Sequence, residues 1–288
     1  MTMLRVAMID HHLNNYHSDT FLRLFRGPLA GEEVDVVAAW ESAPVGEDWC
    51  ARNGVRRADS PEDAVQGVDA VMVMAPDNVE EHLRFASAVM PAGLPTFVDK
   101  FLAPTLDEAW EIAGLARRHG CPLFSSSALR FAVELEAARE QIGRQQVTDV
   151  ATRGLSHWNL YGCHTVSLAL GLMGAAVRRL SDTGTETART VTLDYGDERR
   201  AVVDVRTAAN EWDVFGWWFA GRAGDRYVAA AITDFEGFYA NLMRQAAAFM
   251  KSGEAPFSVE DALTMVAILE GADRSRALDG AWVPISVA

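Results

Sequence analysis

The residues best suited to chemistry lie in two short stretches. The first is Thr96-Phe97-Val98-Asp99-Lys100-Phe101, an apolar strand that ends in an acid and a lysine. Lys100 and Lys251 are the only lysines of the chain, which otherwise takes its positive charge from arginine. A lysine lowers its pKa when desolvated and can then carry protons, which an arginine cannot do. The end of a parallel strand is also where open α/β sheets bind ligands. The second stretch is His157-Trp158-Asn159-Leu160-Tyr161-Gly162-Cys163-His164. His164 can act as acid or base near neutral pH. Tyr161 can donate to a developing oxyanion, and His157 stands close by in sequence. These residues are expected just before an apolar helix over Thr165 to Met173. Cys163 has no visible triad and reads as structural.

The elements that position the first stretch alternate strand and helix. Strands are expected at Arg5 to Ile9, Val34 to Trp40, Asp69 to Met74, Pro95 to Val98 and Pro122 to Phe124. Helices are expected at Ser18 to Arg26 with Ser18 as N-cap, from Pro61, at Val79 to Met90 and at Leu106 to His119. That order implies right-handed crossovers and a doubly wound parallel sheet. After Phe124 the pattern changes to a helix at Ala132 to Ile142 and a strand at Val147 to Arg153. Extended runs follow at Thr190 to Tyr195, Ala201 to Thr207, Trp212 to Ala220 and Arg226 to Ile232, with turn signals between them. Helices at Phe235 to Met250 and Val259 to Leu278 complete the chain. The fold class is therefore α/β, a Rossmann-like domain over residues 1–125 and an α+β domain with a largely antiparallel open sheet over 126–288. Trp212, Trp217 and Trp218 read as cover for a sheet face.

The turn after the first strand is where a dinucleotide fold carries G-x-G-x-x-G, so that backbone can approach a pyrophosphate. Here it reads Asp10-His11-His12-Leu13-Asn14-Asn15, without a glycine. Asp10 places a carboxylate near the phosphate position, and the side chain of His12 crowds the approach. Glu41, closing the second strand, is placed to hold a ribose hydroxyl. His11, His12 and His17 cluster beside Asp10, but adjacent histidines point apart and no cysteine joins them, so no metal is assigned.

The bulk composition narrows the partners. A net charge of -14 over 288 residues speaks against nucleic acid and anionic membranes, which need basic patches. No unbroken apolar run approaches the roughly 20 residues of a membrane span. Met1-Thr2-Met3-Leu4-Arg5 lacks a signal peptide's charged-then-apolar pattern. Three widely spaced cysteines, Cys50, Cys121 and Cys163, suit a reducing cytoplasm.

With these residues in view, the chain resembles the glucose–fructose oxidoreductase / inositol dehydrogenase / MocA (Gfo/Idh/MocA) family over nearly its whole length. Ala75-Pro76-Asp77-Asn78-Val79-Glu80-Glu81-His82 is similar to that family's T-P-N-x-x-H segment. Val98-Asp99-Lys100-Phe101 resembles its E-K-P motif, with Asp for Glu and Phe for Pro. Leu129-Arg130-Phe131 resembles the pair that opens its second domain, and Tyr161-Gly162-Cys163-His164 the segment that carries its catalytic histidine. The aspartate usual four residues before that histidine is Leu160 here.

The resemblance implies an NAD or NADP cofactor, a sugar, polyol or cyclitol substrate, and a homodimer or homotetramer formed through the C-terminal sheet. It implies Lys100 and His164 as proton-relay residues, and Pro76, Asn78, Asp99 and Lys100 along the nicotinamide side. Asp10, His12, Asn15 and Glu41 would meet the rest of the cofactor. The missing glycines keep a second reading open: a cofactor-independent lyase, isomerase or hydrolase that uses the same lysine and histidine. A third, a silent carbohydrate-binding protein, is opposed by the retention of both Lys100 and His164.

Overall fold

The computed structural model describes residues 3–207 and 216–287. The chain divides into two compact units, residues 1–126 with 242–262 and residues 127–241 with 263–288. The segment Leu242–Ala262 thus belongs with the first unit.

The first unit is built on six parallel strands: β1 (Leu4–Asp10), β2 (Val34–Glu41), β3 (Arg56–Arg57), β4 (Ala70–Val73), β5 (Thr96–Val98) and β6 (Leu123–Ser125). Their order in the sheet is β3-β2-β1-β4-β5-β6. The central strands are apolar without alternation because helices cover both faces; Val6, Ala7, Met8 and Ile9 are fully buried. The strand order reverses between β1 and β4, and the crevice beyond their C-terminal ends is the ligand position of such sheets.

The helices of this unit are α1 (Tyr16–Arg26), α2 (Trp49–Asn53), α3 (Pro61–Ala64), α4 (His82–Val89) and α5 (Leu106–His119). Helix α5 occupies the expected residues because both its ends are written in the sequence. The Thr105 side chain accepts from Glu108 N, and Gly120 closes the helix at φ 63, a left-handed position that glycine takes without strain. Helix α1 differs from expectation. Asn15, not Ser18, caps it, accepting at its side chain from Ser18 N, and the Ser18 hydroxyl turns instead to Asp10 at 2.6 Å.

Among the described residues the second unit carries seven strands: β7 (Val147–Leu155), β8 (Arg179–Asp182), β9 (Ala188–Gly196), β10 (Arg199–Arg206), β11 (Trp218–Ala223), β12 (Arg226–Ala231) and β13 (Val283–Pro284). Their order is β12-β11-β7-β10-β9-β8-β13. The β7–β10 pair is parallel and the other pairs are antiparallel, so the sheet is largely antiparallel, as the alternating runs indicated. Of the strand expected over Trp212 to Ala220, residues 212–215 fall outside the described residues, and β11 begins at Trp218. Strands β8 and β13 are short and carried no recognisable alternation.

Helices α6 (Val133–Ile142) and α7 (Trp158–Met173) belong to this unit. Helix α7 starts seven residues before the expected Thr165, so His157 to His164 is not a loop ahead of a helix but its first turns. The early start escaped notice because the helix is buried nearly all round, and period reading needs a polar face. Its close seat on β7 needs Gly154, where an added Cβ would stand 1.8 Å from Thr165 Oγ1. The last helices are Phe235–Ser252 and Val259–Ala277. Among the described residues no helix is long and apolar enough to cross a membrane.

Candidate active site

In the first unit the C-terminal end of β5 delivers Asp99 and Lys100. Lys100 is only 4 % exposed, and its Nζ donates to Pro76 O at 2.8 Å. Pro76 lies in the turn after β4, so the neighbouring strand end holds the ammonium in place. The Lys100–Phe101 peptide is cis. Asp99 is fully buried. Its carboxylate accepts from Lys100 N at 2.8 Å and from His17 Nδ1 at 2.5 Å. Burial alone would raise the Asp99 carboxyl, but the His17 charge and hydrogen bond, with Lys100 beside them, hold it below its ordinary value. His82 is also fully buried, with Nε2 2.6 Å from Met74 O, and burial lowers its pKa.

The pairing of His17 with Asp99 is what sequence reasoning missed here. His17 stands 82 positions from Asp99, and no local signal ties a histidine in helix α1 to an acid after β5. The histidine cluster expected beside Asp10 separates accordingly: His17 turns to Asp99, His11 hydrogen-bonds Ser42 Oγ at 2.7 Å, and His12 Nδ1 donates to Ala43 O.

The turn after β1 is a dense polar network. Asp10 is fully buried. Its carboxylate accepts from Ser18 Oγ at 2.6 Å, from Asn15 Nδ2 at 2.7 Å, from His11 N at 2.7 Å and from Ala75 N at 3.0 Å. The last of these bridges the ends of β1 and β4. Glu41, 5 % exposed, accepts from Leu13 N at 2.8 Å and from Arg57 at 3.1 Å. Asn14 Nδ2 donates to Val45 O at 2.6 Å and to Glu47 O at 2.7 Å. The expected members Asp10, His12, Asn15 and Glu41 are therefore brought together, and so are Pro76, Asp99 and Lys100. Asn78 lies in the same β4 exit turn, with Nδ2 on Glu80 at 3.2 Å.

Burial pushes the Asp10 carboxyl up to about 6 against four hydrogen bonds that favour its anion. The unfolded group releases its proton near its ordinary value of about 4. Between about 4 and about 6 the folded chain therefore holds the extra proton, and its stability falls as pH rises through that window. The Asp10 Cγ resonance should titrate by NMR with a midpoint near 6. A midpoint in the ordinary carboxylate range would show that the hydrogen bonds outweigh burial.

In the second unit, helix α7 carries the other expected residues. His164 is buried, and its Nδ1 shares a hydrogen bond of 2.7 Å with Ser127 Oγ. Tyr161 packs edge-on against the His164 ring at 5.6 Å, and Trp217 does so at 5.7 Å. Trp217 thus lines the histidine as well as meeting the sheet. His157 is exposed at the N-cap position and makes no side-chain cap. Cys163 is buried and donates to Leu160 O at 3.4 Å. Ser127 was not foreseen, since a serine 37 residues before the histidine carries no motif.

Residues 9–127 match the model of a family described as an oxidoreductase family with an NAD-binding Rossmann fold. No curated protein matches the chain by sequence. Among solved structures, the chain is similar to GenD2 from gentamicin A biosynthesis, solved in complex with NAD, at 18% identity and a TM-score of 0.81, over 100% of this chain and 97% of that one. It is similar to scyllo-inositol dehydrogenase from Lactobacillus casei at 14% identity and a TM-score of 0.79, over 99% of both chains. It is also similar to myo-inositol 2-dehydrogenase from Lactobacillus plantarum at 15% identity and a TM-score of 0.76, over 98% of this chain and 99% of that one. At such identities the likeness is one of fold.

Proposed function

We propose that this chain, whose residues 9–127 match the model of an oxidoreductase family with an NAD-binding Rossmann fold, is a member of the Gfo/Idh/MocA family and an enzyme acting at a hydroxyl- or ketone-bearing carbon of a sugar, polyol or cyclitol, with Lys100 carrying the proton. The observation that carries this reading is the seat of Lys100. A lysine only 4 % exposed at a strand end, with Nζ on Pro76 O and its backbone N–H on Asp99, is fixed in position and partly stripped of water. That seat holds the ammonium at the strand end, where open α/β sheets bind their ligands and where a positioned group can hand a proton to and from a substrate. Lys100 takes the proton of a substrate hydroxyl and returns it in the reverse direction; forming a carbonyl would also require a nicotinamide cofactor to accept the hydride. His164, oriented by Ser127 Oγ with Tyr161 against its ring, is the candidate acid–base group of the second unit.

Oxidoreduction with NAD or NADP is the reaction that the family match supports. A second reading, cofactor-independent elimination, isomerisation or hydrolysis through the same residues, is favoured by one observation. The turn after β1 does not fit a dinucleotide laid in the usual way, because Asp10, His12 and Asn15 stand where close backbone approach needs glycine.

A panel of sugars, keto-sugars and cyclitols tests the proposal, with product read by chromatography both with and without nicotinamide cofactors. Turnover of a panel member that Lys100→Ala removes supports it. Turnover that Lys100→Ala leaves intact, or none under either condition, sinks it.

The second unit also offers a surface for self-association into a homodimer or homotetramer. Ala151, Val202, Ala220 and Ala229 are cross-strand neighbours on β7, β10, β11 and β12, with Val202 38 % exposed and Tyr227, on β12, 74 %. An apolar row on an open sheet face is the kind of surface that a second copy covers. Sedimentation equilibrium decides it, and a monomer at micromolar concentration would rule the association out.

A further inference from the structure

We infer that this chain holds no dinucleotide across its β1–α1 turn, because its own side chains fill the positions by which such a fold grips the pyrophosphate and the adenosine ribose. The inference goes beyond the reading of Lys100 above, which stands or falls on turnover; this one stands or falls on binding.

A dinucleotide on this sheet order lies across the crevice between β1 and β4. It needs three things from the chain: backbone that comes close, amide hydrogens at the start of the first helix, and an acid after the second strand for the ribose hydroxyls. Each is already committed. The crevice itself is bridged, since Asp10 accepts from Ala75 N at 3.0 Å, and Asp10 is a buried acid at the place where phosphate charge would come to rest. Like charges there repel, and the three donors that would suit a phosphate oxygen, Ser18 Oγ, Asn15 Nδ2 and Ala75 N, all point at Asp10. The start of α1 is capped from within, Ser18 N donating to Asn15 Oδ1 at 3.0 Å. The acid after β2 is taken as well: Glu41 receives Leu13 N and Arg57 and is 5 % exposed.

The lane between the two turns is also closed. His11 to Ser42, His12 to Ala43, Leu13 to Glu41, and Asn14 to Val45 and Glu47 make a row of hydrogen bonds from the β1 exit to the β2 exit. Adenosine ribose lies along that row in a dinucleotide fold. A ligand entering it must break several of these bonds together, and loss of the buried Leu13–Glu41 bond leaves buried groups unpaired, which makes the network resist displacement.

The test is calorimetric titration of the full chain with NAD, NADH, NADP, NADPH and ADP-ribose, the last lacking only the nicotinamide ring. No saturation up to about 1 mM is expected, the upper end of the range over which enzymes ordinarily take their substrates. The variant Asp10→Gly/His12→Gly should gain binding of at least tenfold. Saturation of the native protein in the micromolar range would overturn the inference, and so would a folded variant that still binds nothing, since the lane would then be closed elsewhere. Should the variant fail to fold, amide NMR of the native chain decides: the Leu13 resonance stays unmoved by about 1 mM NADH if the inference holds, and shifts if it does not.

Discussion

Replacing Lys100 by alanine will lower turnover by roughly 10²- to 10⁴-fold, the usual contribution of a positioned acid–base group, and leave the chain folded. The fold should survive because the side-chain hydrogen bond from Lys100 to Pro76 O is of a kind that contributes about 1 kcal/mol. Asp99 keeps His17 after the change, so the buried carboxylate is not stranded. Lys100→Arg separates charge from proton transfer. Arginine preserves the positive charge but stays protonated at all working pH, so it should be nearly as inactive as alanine. An arginine variant with native turnover would show that Lys100 supplies charge alone. An alanine variant with native turnover would remove Lys100 from the chemistry altogether. Circular dichroism on both variants separates lost chemistry from lost structure.

The largest effect on stability is expected in the second unit, at Asp182. Arg189 has a side chain 2 % exposed, and its Nε pairs at 2.5 Å with Asp182, whose side chain is wholly buried. Its Nη1 reaches Asp273 at 2.8 Å, and its guanidinium lies 4.8 Å from the centre of the Trp158 ring. Asp182 also accepts from Gly184 N at 2.9 Å, which pins the turn after β8. Asp182→Ala strips the buried arginine of its inner partner and leaves it a half-exposed one. Breaking a buried pair from one side costs about 3–5 kcal/mol. Urea denaturation followed by tryptophan fluorescence should show a loss of that size. The double variant Asp182→Leu/Arg189→Met should recover most of it, because removing both charges leaves neither uncompensated. A single-variant loss under about 1 kcal/mol would mean that water reaches the site and the pair is not truly desolvated.

These two sites differ in how far the sequence alone announces them. Lys100 is legible because it is rare in this chain and ends an apolar strand whose neighbours alternate with helices. Local rules suffice for that much. The parallel sheet, helix α5 between Thr105 and Gly120, and the change to extended runs after Phe124 follow from period, caps and turn residues, each read within a few positions. The absent glycines at Asp10, His12 and Asn15 are visible in the same way.

What the chain builds in their place is not visible, because each element of it is a meeting of distant segments. His17 pairs with Asp99 across 82 positions, Asp10 with Ala75 across 65, Leu13 with Glu41 across 28 and His164 with Ser127 across 37. Pattern reading gives the face on which a residue lies, but not which other residue shares that space. Burial also reverses local expectation. Asn15 displaced Ser18 as the cap of α1 because the Ser18 hydroxyl was needed by a buried carboxylate, and α7 extends back over His157 to His164 because its surroundings, not its polar periodicity, hold it helical. The sequence by itself determined the sheet, its strand ends and the lysine placed there. Only the tertiary structure decided which polar groups satisfy one another in the crevice, since in a dry interior that assignment is set by which donors and acceptors meet.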